Sequence, residues 1–426
     1  MRRYWLAVAL LAALGAAGWA AVAWLAASGS EPRAKWGYTA ATLAFVLSTA
    51  HGAPVLAFAA RLARGYWGVP VRRAAELFGV AGLATAPLTI VLLFQLPDWR
   101  SRPSIWLDWP GAPRLWDGLA VTTLALCGLL LLYLGGLPDL SAAGRRRDQG
   151  RPPRLALGWA GTARQWVLLQ HGLIALGGLY LMAFTFVHLL VVSDLAMSLV
   201  PEWGSASLPA HHAVSGLQGG VAVSVLALGV LRWLDGGAGR PAAGRDAFAP
   251  AAKLLLALAL LWFYFFWAEF LTYWYGRTPA ERQLLALLAF GPYALPFAAA
   301  FALTFLLPFL ILLWNPVRNS VAGATSAAAL VVAGVFFDRV RLFVPAWSLA
   351  GAAEGGHALE ALPPAIWPRL PDALVMAGVP ATVLLLYLLA LRMVPAISWW
   401  EWNAAHLLRV ERPFLRRVVT VIAQPS

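Results

Sequence analysis

Long apolar stretches alternate along this chain with short breaks rich in Pro, Gly and Arg. Ten stretches are read, at about 4–27, 37–62, 77–97, 116–137, 167–194, 211–233, 253–275, 291–314, 320–343 and 373–396. Each approaches or exceeds the roughly 20 residues a helix needs to cross about 30 Å of hydrocarbon. Spanning segments must satisfy their own backbone groups, which selects helices. The predicted fold class is all-α: a polytopic membrane protein of about ten transmembrane helices, with two four-helix bundles plus peripheral helices. Residues 1–36 hold an N-terminal peripheral helix, 37–194 the first bundle and 195–343 the second. Residues 344–426 hold an outer loop, a final transmembrane helix and an interfacial tail. The first stretch follows Arg2 and Arg3 and is longer than a usual signal-peptide core, so it is expected to be retained.

Composition sharpens this picture. The 426 residues are 61% hydrophobic and 12% charged, with mean hydropathy +0.71, whereas soluble domains carry about 25% charged residues. The net charge of +13 comes from 32 Lys+Arg against 19 Asp+Glu. Most of the basic residues, such as Arg61, Arg64, Arg72, Arg73 and Arg145 to Arg147, fall in alternate loops and in both tails. There they set topology rather than bind nucleic acid, and most acids lie on the other side, so both termini are expected inside a bacterial cytoplasmic membrane. The single cysteine, Cys127, lies within an apolar run and leaves no internal disulfide or Cys-ligated cluster. No Walker motif, nucleophile elbow or zinc spacing occurs. The tail from Ser398 begins Trp399-Trp400-Glu401-Trp402 and reads as an interfacial anchor followed by a basic amphipathic stretch.

Ionisable groups inside lipid are expensive and mark routes for protons, ions or polar ligands. Here they gather toward the outer ends of the spans. Asp117 opens span 4, and His188 and Asp194 close span 5. His211 and His212 open span 6 and are read as lying at the aqueous boundary. Glu269 and Tyr273, on one helix face at i,i+4, close span 7. Asp338, Arg339 and Arg341 close span 9, with Asp338 and Arg341 spaced for an ion pair. Glu269 reads as a proton acceptor, as a quinone ligand, or as the partner of an arginine such as Arg339. Asp117 suits a helix cap as well as a site. His51 lies mid-span before Pro54 and reads either as a hydrogen-bonded core histidine or as part of a proton path. Bis-histidine haem would need imidazoles at matching depths on neighbouring helices, which His51, His171 and His188 do not obviously offer.

Several short stretches together carry a family likeness. They are Ser48-Thr49-Ala50-His51-Gly52-Ala53, Leu115-Trp116-Asp117-Gly118, Leu137-Pro138-Asp139-Leu140, Gly158-Trp159-Ala160-Gly161-Thr162, Val187-His188 through Ser193-Asp194, Glu269 through Gly276, Phe290-Gly291-Pro292-Tyr293 and Phe337-Asp338-Arg339. In their order the chain resembles the polysulfide-reductase-type (NrfD-like) membrane subunits, in particular the ten-helix quinol-binding subunit of bacterial alternative complex III. The resemblance implies a subunit without covalent or metal cofactor that binds menaquinol or ubiquinol as substrate near the outer face. It implies an extracytoplasmic iron–sulfur partner, with a multihaem cytochrome c and a second NrfD-like subunit as further candidate partners alongside membrane lipids. Carried over by position, His51, Asp117, His188, Asp194, Glu269, Tyr273 and Asp338 become candidates for the quinone pocket or the proton route, Asp117, His188, Asp194, Glu269 and Asp338 for the proton chemistry; Gln95 and Arg339 join His51 and Tyr273 as candidates for the quinone pocket. One departure matters. Where the family has a histidine followed by a Gly-Arg-Pro-Trp type turn, this chain has Phe94-Gln95-Leu96-Pro97-Asp98-Trp99. Gln95 can hydrogen-bond a quinone oxygen but cannot take its proton. The alternatives from other classes are a secondary transporter or proton/ion channel, and a haem b membrane anchor.

Overall fold

The computed structural model describes residues 2–65, 67–98, 109–147, 156–234, 245–349, 362–407, 409–414 and 417–422. Its helices are α1 (Arg2–Ala27), α2 (Gly37–Thr49), α3 (Gly52–Leu62), α4 (Gly68–Glu76), α5 (Gly82–Leu93), α6 (Arg114–Arg147), α7 (Ala163–Leu195) and α8 (Leu208–Leu234). There follow α9 (Arg245–Gly276), α10 (Pro279–Leu285), α11 (Ala294–Phe301), α12 (Leu307–Leu313), α13 (Asn315–Arg318), α14 (Val321–Ser348), α15 (Leu370–Met393) and α16 (Trp399–Leu407). Among the described residues, 9 helical segments are long and apolar enough to cross a membrane. Another long helix, the 28-residue α14, matches the expected span at 320–343 and runs through the middle of the molecule. The chain is thus an all-α multi-pass membrane protein.

Helices α2 to α7 form one bundle, with α6 packed between α5 and α7, and α3 against α4 and α7. Helices α8 to α14 form a second, in which α14 packs on α8, α11 and α12, and α9 packs on α8 and α12. The bundles meet reciprocally: α2 lies on α14 as α8 lies on α7, and α3 crosses α8. Two units related by a two-fold axis through the α3–α8 crossing would give this pattern. At that crossing a Cβ built on Gly220 would fall 2.1 Å from the Gly52 carbonyl carbon, and one on Gly52 would fall 2.3 Å from the Gly216 carbonyl oxygen. Only glycine permits such an approach, and in lipid close packing of this kind holds helices together. Peripheral helices α1 and α15 pair the same way, with Gly18 facing Gly378.

Three spans are not continuous α-helix. Span 2 is interrupted at Ala50 and His51, because Pro54 has no N–H to give the Ala50 carbonyl; that carbonyl accepts from Ala53 N at 3.3 Å instead. Span 3 changes to a 3₁₀ turn over Leu77–Ala81, between α4 and α5. Span 8 carries a π turn over Ala302–Leu306, just before Pro308.

The third span begins at Gly68 rather than near 77. Arg72, Arg73 and Glu76 look like loop residues in the sequence, yet they are buried. They belong to an ionic cluster at the basic face, where α1 begins and α16 lies. Arg61 pairs with Glu76 and with Glu401, both at 2.7 Å, and Arg73 pairs with Asp139 at 3.1 Å. Ser398 Oγ and the Trp399 N–H donate to Asp139 at 3.0 and 3.1 Å, and Trp400 Nε1 donates to the Gly135 carbonyl. These bonds seat α16 on the bundle. Beyond it the tail forms an antiparallel hairpin, β1 (Arg409–Phe414) and β2 (Arg417–Ile422).

This packing can be probed at two places. Gly220→Ala forces the bundles apart, whereas Gly204, where an added Cβ would meet nothing within 4 Å, tolerates the same change. Overpacking of this kind costs about 1–3 kcal/mol, so Gly220→Ala should lower the melting temperature in detergent and Gly204→Ala should not. The second place is Glu401. Burial pushes its carboxyl up, but Arg61, Arg72 and Arg73 more than reverse this and hold it below the usual glutamate range. Its contribution to tail docking is therefore complete above the ordinary glutamate pKa and disappears as pH falls through its own lower value. Glu401→Gln should free α16 at neutral pH, read as faster proteolysis and amide exchange across 399–407.

Candidate functional site

Where the bundles meet, α2, α7, α8 and α14 each deliver a polar side chain to one point. Arg339 of α14, fully buried, donates from Nε and Nη2 to Ser48 Oγ of α2 at 3.0 and 2.9 Å, and from Nη2 to the His212 carbonyl at 3.4 Å. Its Nη1 pairs with Asp338 at 2.6 Å, and Arg341 pairs with the other Asp338 oxygen at 2.7 Å. The expected Asp338–Arg341 pair thus forms, and Arg339 joins it. Two guanidiniums share one carboxylate, so this triad carries an excess positive charge in the interior. Arg341 also lies over the Phe297 ring, 5.6 Å from its centroid.

His188 of α7 adjoins this triad. Its Nδ1 donates to the Phe184 carbonyl at 3.0 Å, one turn back, so Nε2 is the acceptor nitrogen and faces Ser48 Oγ at 3.5 Å. Ser48 itself donates to the Ala44 carbonyl at 2.7 Å. The His188 ring packs on Gly216, where a Cβ would fall 2.5 Å from Nε2, and lies 5.0 Å, centroid to centroid, from the His212 ring. That spacing leaves no room for a porphyrin between the two imidazoles. Among the described residues no three His, Cys, Asp or Glu side chains are grouped to hold a metal ion.

His211 and His212 are both buried, which corrects their reading as boundary residues. Helix α8 starts three residues before them, and α9 and α14 cover them: His211 faces Trp262, with ring centroids 5.0 Å apart, and His212 faces Phe343. His211 Nδ1 lies 3.8 Å from Glu269, whose Oε1 accepts from Tyr273 Oη at 3.1 Å. Glu269 therefore has a histidine and a tyrosine as partners; the anticipated Arg339 is engaged by Asp338 and Ser48. Tyr273 lines a cleft of about 240 Å³ that opens beside α10, with Glu202, Thr278, Glu281 and Leu284. His211, Glu269 and Tyr273 thus form a polar string to the cleft, while the His188 and His212 rings pack on each other beside the Ser48–Arg339 contact.

The remaining candidates lie apart from that string or beside it. His51 is enclosed in the first bundle. Tyr180 donates to the His51 carbonyl at 2.9 Å, so His51 Nδ1 is the donor to Tyr180 Oη at 3.2 Å, and Nε2 accepts from Thr85 Oγ1 at 2.8 Å. Both ring nitrogens are satisfied, as a core histidine requires. Asp117 occupies the first turn of α6 and Asp194 the last turn of α7; both are buried at the face opposite the basic one. Gln95 follows α5 at that same end and is half-buried. Ser48 stands in a family-like stretch, but sequence reasoning gave it no role of its own. Its position one helical turn before His51, in an otherwise apolar run, was the available signal.

A scan against protein-family models and a search of curated proteins both find no match to this chain.

The triad yields a test. Asp338→Asn leaves two buried guanidiniums without an anion, a loss of about 3–5 kcal/mol. Ser48→Ala removes one neutral acceptor, a loss of about 1–3 kcal/mol. Melting curves of the purified protein should rank the variants in that order, and equal melting of Asp338→Asn and wild type would contradict the assigned pairing.

Proposed function

We propose that this chain is the quinol-binding membrane subunit of a bacterial respiratory oxidoreductase, with its basic face toward the cytoplasm. In this reading menaquinol or ubiquinol binds at the opposite end of the first bundle and passes electrons to a docked extracytoplasmic iron–sulfur partner. The observation that carries the reading is the run of buried imidazoles His188, His212 and His211 leading to Glu269. Quinol oxidation releases two protons with two electrons, and each proton needs an acceptor within about 3 Å or one water of the hydroxyl. An enclosed apolar slot with a few convergent polar groups suits a redox lipid. Asp117, Asp194 and Gln95 stand nearest the end where a head group would enter. Gln95 contributes a hydrogen bond only, so proton acceptance falls to the two aspartates, with His188 behind them. Arg339, Asp338 and Ser48 fix the His188 ring and the electrostatics around it; His51 serves the core of the first bundle. Glu269 and Tyr273 lead toward the outer cleft. The ordered family motifs support the same reading, as does the grouping of helices into two bundles and a peripheral pair.

A second reading, a secondary transporter or ion channel, draws support from the interrupted helices of spans 2, 3 and 8. Substrate uptake by the reconstituted chain alone would favour it. The quinol reading expects this chain to co-purify with an iron–sulfur protein in a preparation that oxidises quinol. Asp117→Ala and His188→Ala in the assembled complex should each slow that oxidation about a hundredfold or more, the usual worth of a lost proton acceptor. Unchanged turnover and inhibitor binding in both variants would sink the assignment.

A further inference from the structure

The second bundle contains a seam of buried polar atoms that find no hydrogen-bond partner among the described residues. On α8 these are His211 Nε2, Ser215 Oγ and Gln218 Oε1; on α9, Trp262 Nε1; in the π turn of span 8, Thr304 Oγ1. All five residues are buried. His211, Ser215 and Gln218 recur at i, i+4 and i+7, so they form one stripe along α8. The stripe faces the other two residues directly. His211 packs against the Trp262 ring, and Gln218 Nε2 donates to the Thr304 carbonyl at 2.9 Å. Gly334 of α14 closes the far side, since a Cβ there would fall 2.3 Å from Thr304 Oγ1.

Leaving a buried donor or acceptor unpaired is costly. Five in one seam would weigh heavily against the small margin that holds a protein folded. Lipid offers no hydrogen bonds. Proteins resolve such groups with internal water, each molecule making about three bonds to otherwise unmet polar atoms. The lining supplies both donors (Trp262, and the hydroxyls of Ser215 and Thr304) and acceptors (Gln218 and the same hydroxyls). Ser215, Gln218 and Thr304 carry no fixed charge that would select a divalent cation or an anion.

We propose that this stripe binds a file of ordered water molecules, forming a hydrated conduit through the outer half of the second bundle. From His211 to Gln218 it runs about 10 Å at 1.5 Å per residue. At one end it meets His211, Glu269 and Tyr273 and so reaches the outer cleft. At the other it stops at Thr304, in the middle of the segment Ala294–Leu313, against Gly334. It is therefore a blind half-conduit, wet from one face only. Its occupant is water whatever the chain's redox partner, so the conduit does not depend on the quinol reading.

Hydroxyl-radical footprinting of the full-length protein in lipid nanodiscs, with a pulsed X-ray beam in ¹⁸O-labelled water, tests this directly. Radicals form on water and mark the side chains beside it. Trp262 should be oxidised several-fold faster than Trp347, which is equally buried but donates its indole N–H to the Leu195 carbonyl at 3.0 Å. Gln218→Leu and Ser215→Ala should each reduce labelling of Trp262. A wild-type Trp262 as silent as Trp347 would overturn the proposal, whether or not either variant folds. Labelling that persists unchanged in both variants would overturn the assignment of the file to this stripe.

Discussion

The polar interior of this protein is organised around a place where two helices touch backbone to backbone. In lipid, helices gain nothing from burying apolar side chains against one another, and association rests on close packing and on hydrogen bonds across the contact. Gly52, Gly216 and Gly220 remove the side chains that would keep α3 and α8 apart. That approach brings α2, α7 and α14 within reach of a common centre. Ser48 can then receive Arg339, and His188 can lie over Gly216. A wider crossing would carry Ser48 and the His212 carbonyl out of the guanidinium's reach and leave it Asp338 alone, so the small residues and the charged ones are parts of one arrangement.

Two buried ionic systems differ in kind. At the basic face, Arg61, Arg72 and Arg73 meet Glu76, Asp139 and Glu401, with equal numbers of each sign. Such a balanced cluster locks the C-terminal segment in place. At the bundle interface Arg339 and Arg341 both pair with Asp338. The two guanidiniums around one carboxylate raise the electrostatic potential around His188 and His212. In a low-dielectric interior that influence is far stronger than it would be in water.

The sequence conveyed the architecture well and the site partly. Hydropathy located the spans because contact with lipid dominates their composition. What a linear pattern does not encode is the direction each residue faces and the depth to which it is carried. Arg72, Arg73 and Glu76 read as loop because charge usually marks water, whereas here opposite charges from α3, α6 and α16 allow them inside. His211 and His212 read as boundary residues because they open a span, although α9 and α14 cover them. Glu269 found His211 rather than Arg339, since partner choice depends on helix rotation. Ser48 was assigned no role because one hydroxyl in a largely apolar run has many ordinary uses.

Helix α14 brings Asp338, Arg339 and Arg341 into the interior of the molecule. Taken alone, each such residue near a helix centre opposes membrane insertion by about 2.5–3.5 kcal/mol. The acceptors Arg339 finds beyond its own helix, Ser48 and the His212 carbonyl, belong to segments synthesised well before it. During biogenesis this span is thus a client of earlier ones: it becomes a comfortable resident of the bilayer only once a prepared berth on α2 and α8 already awaits it.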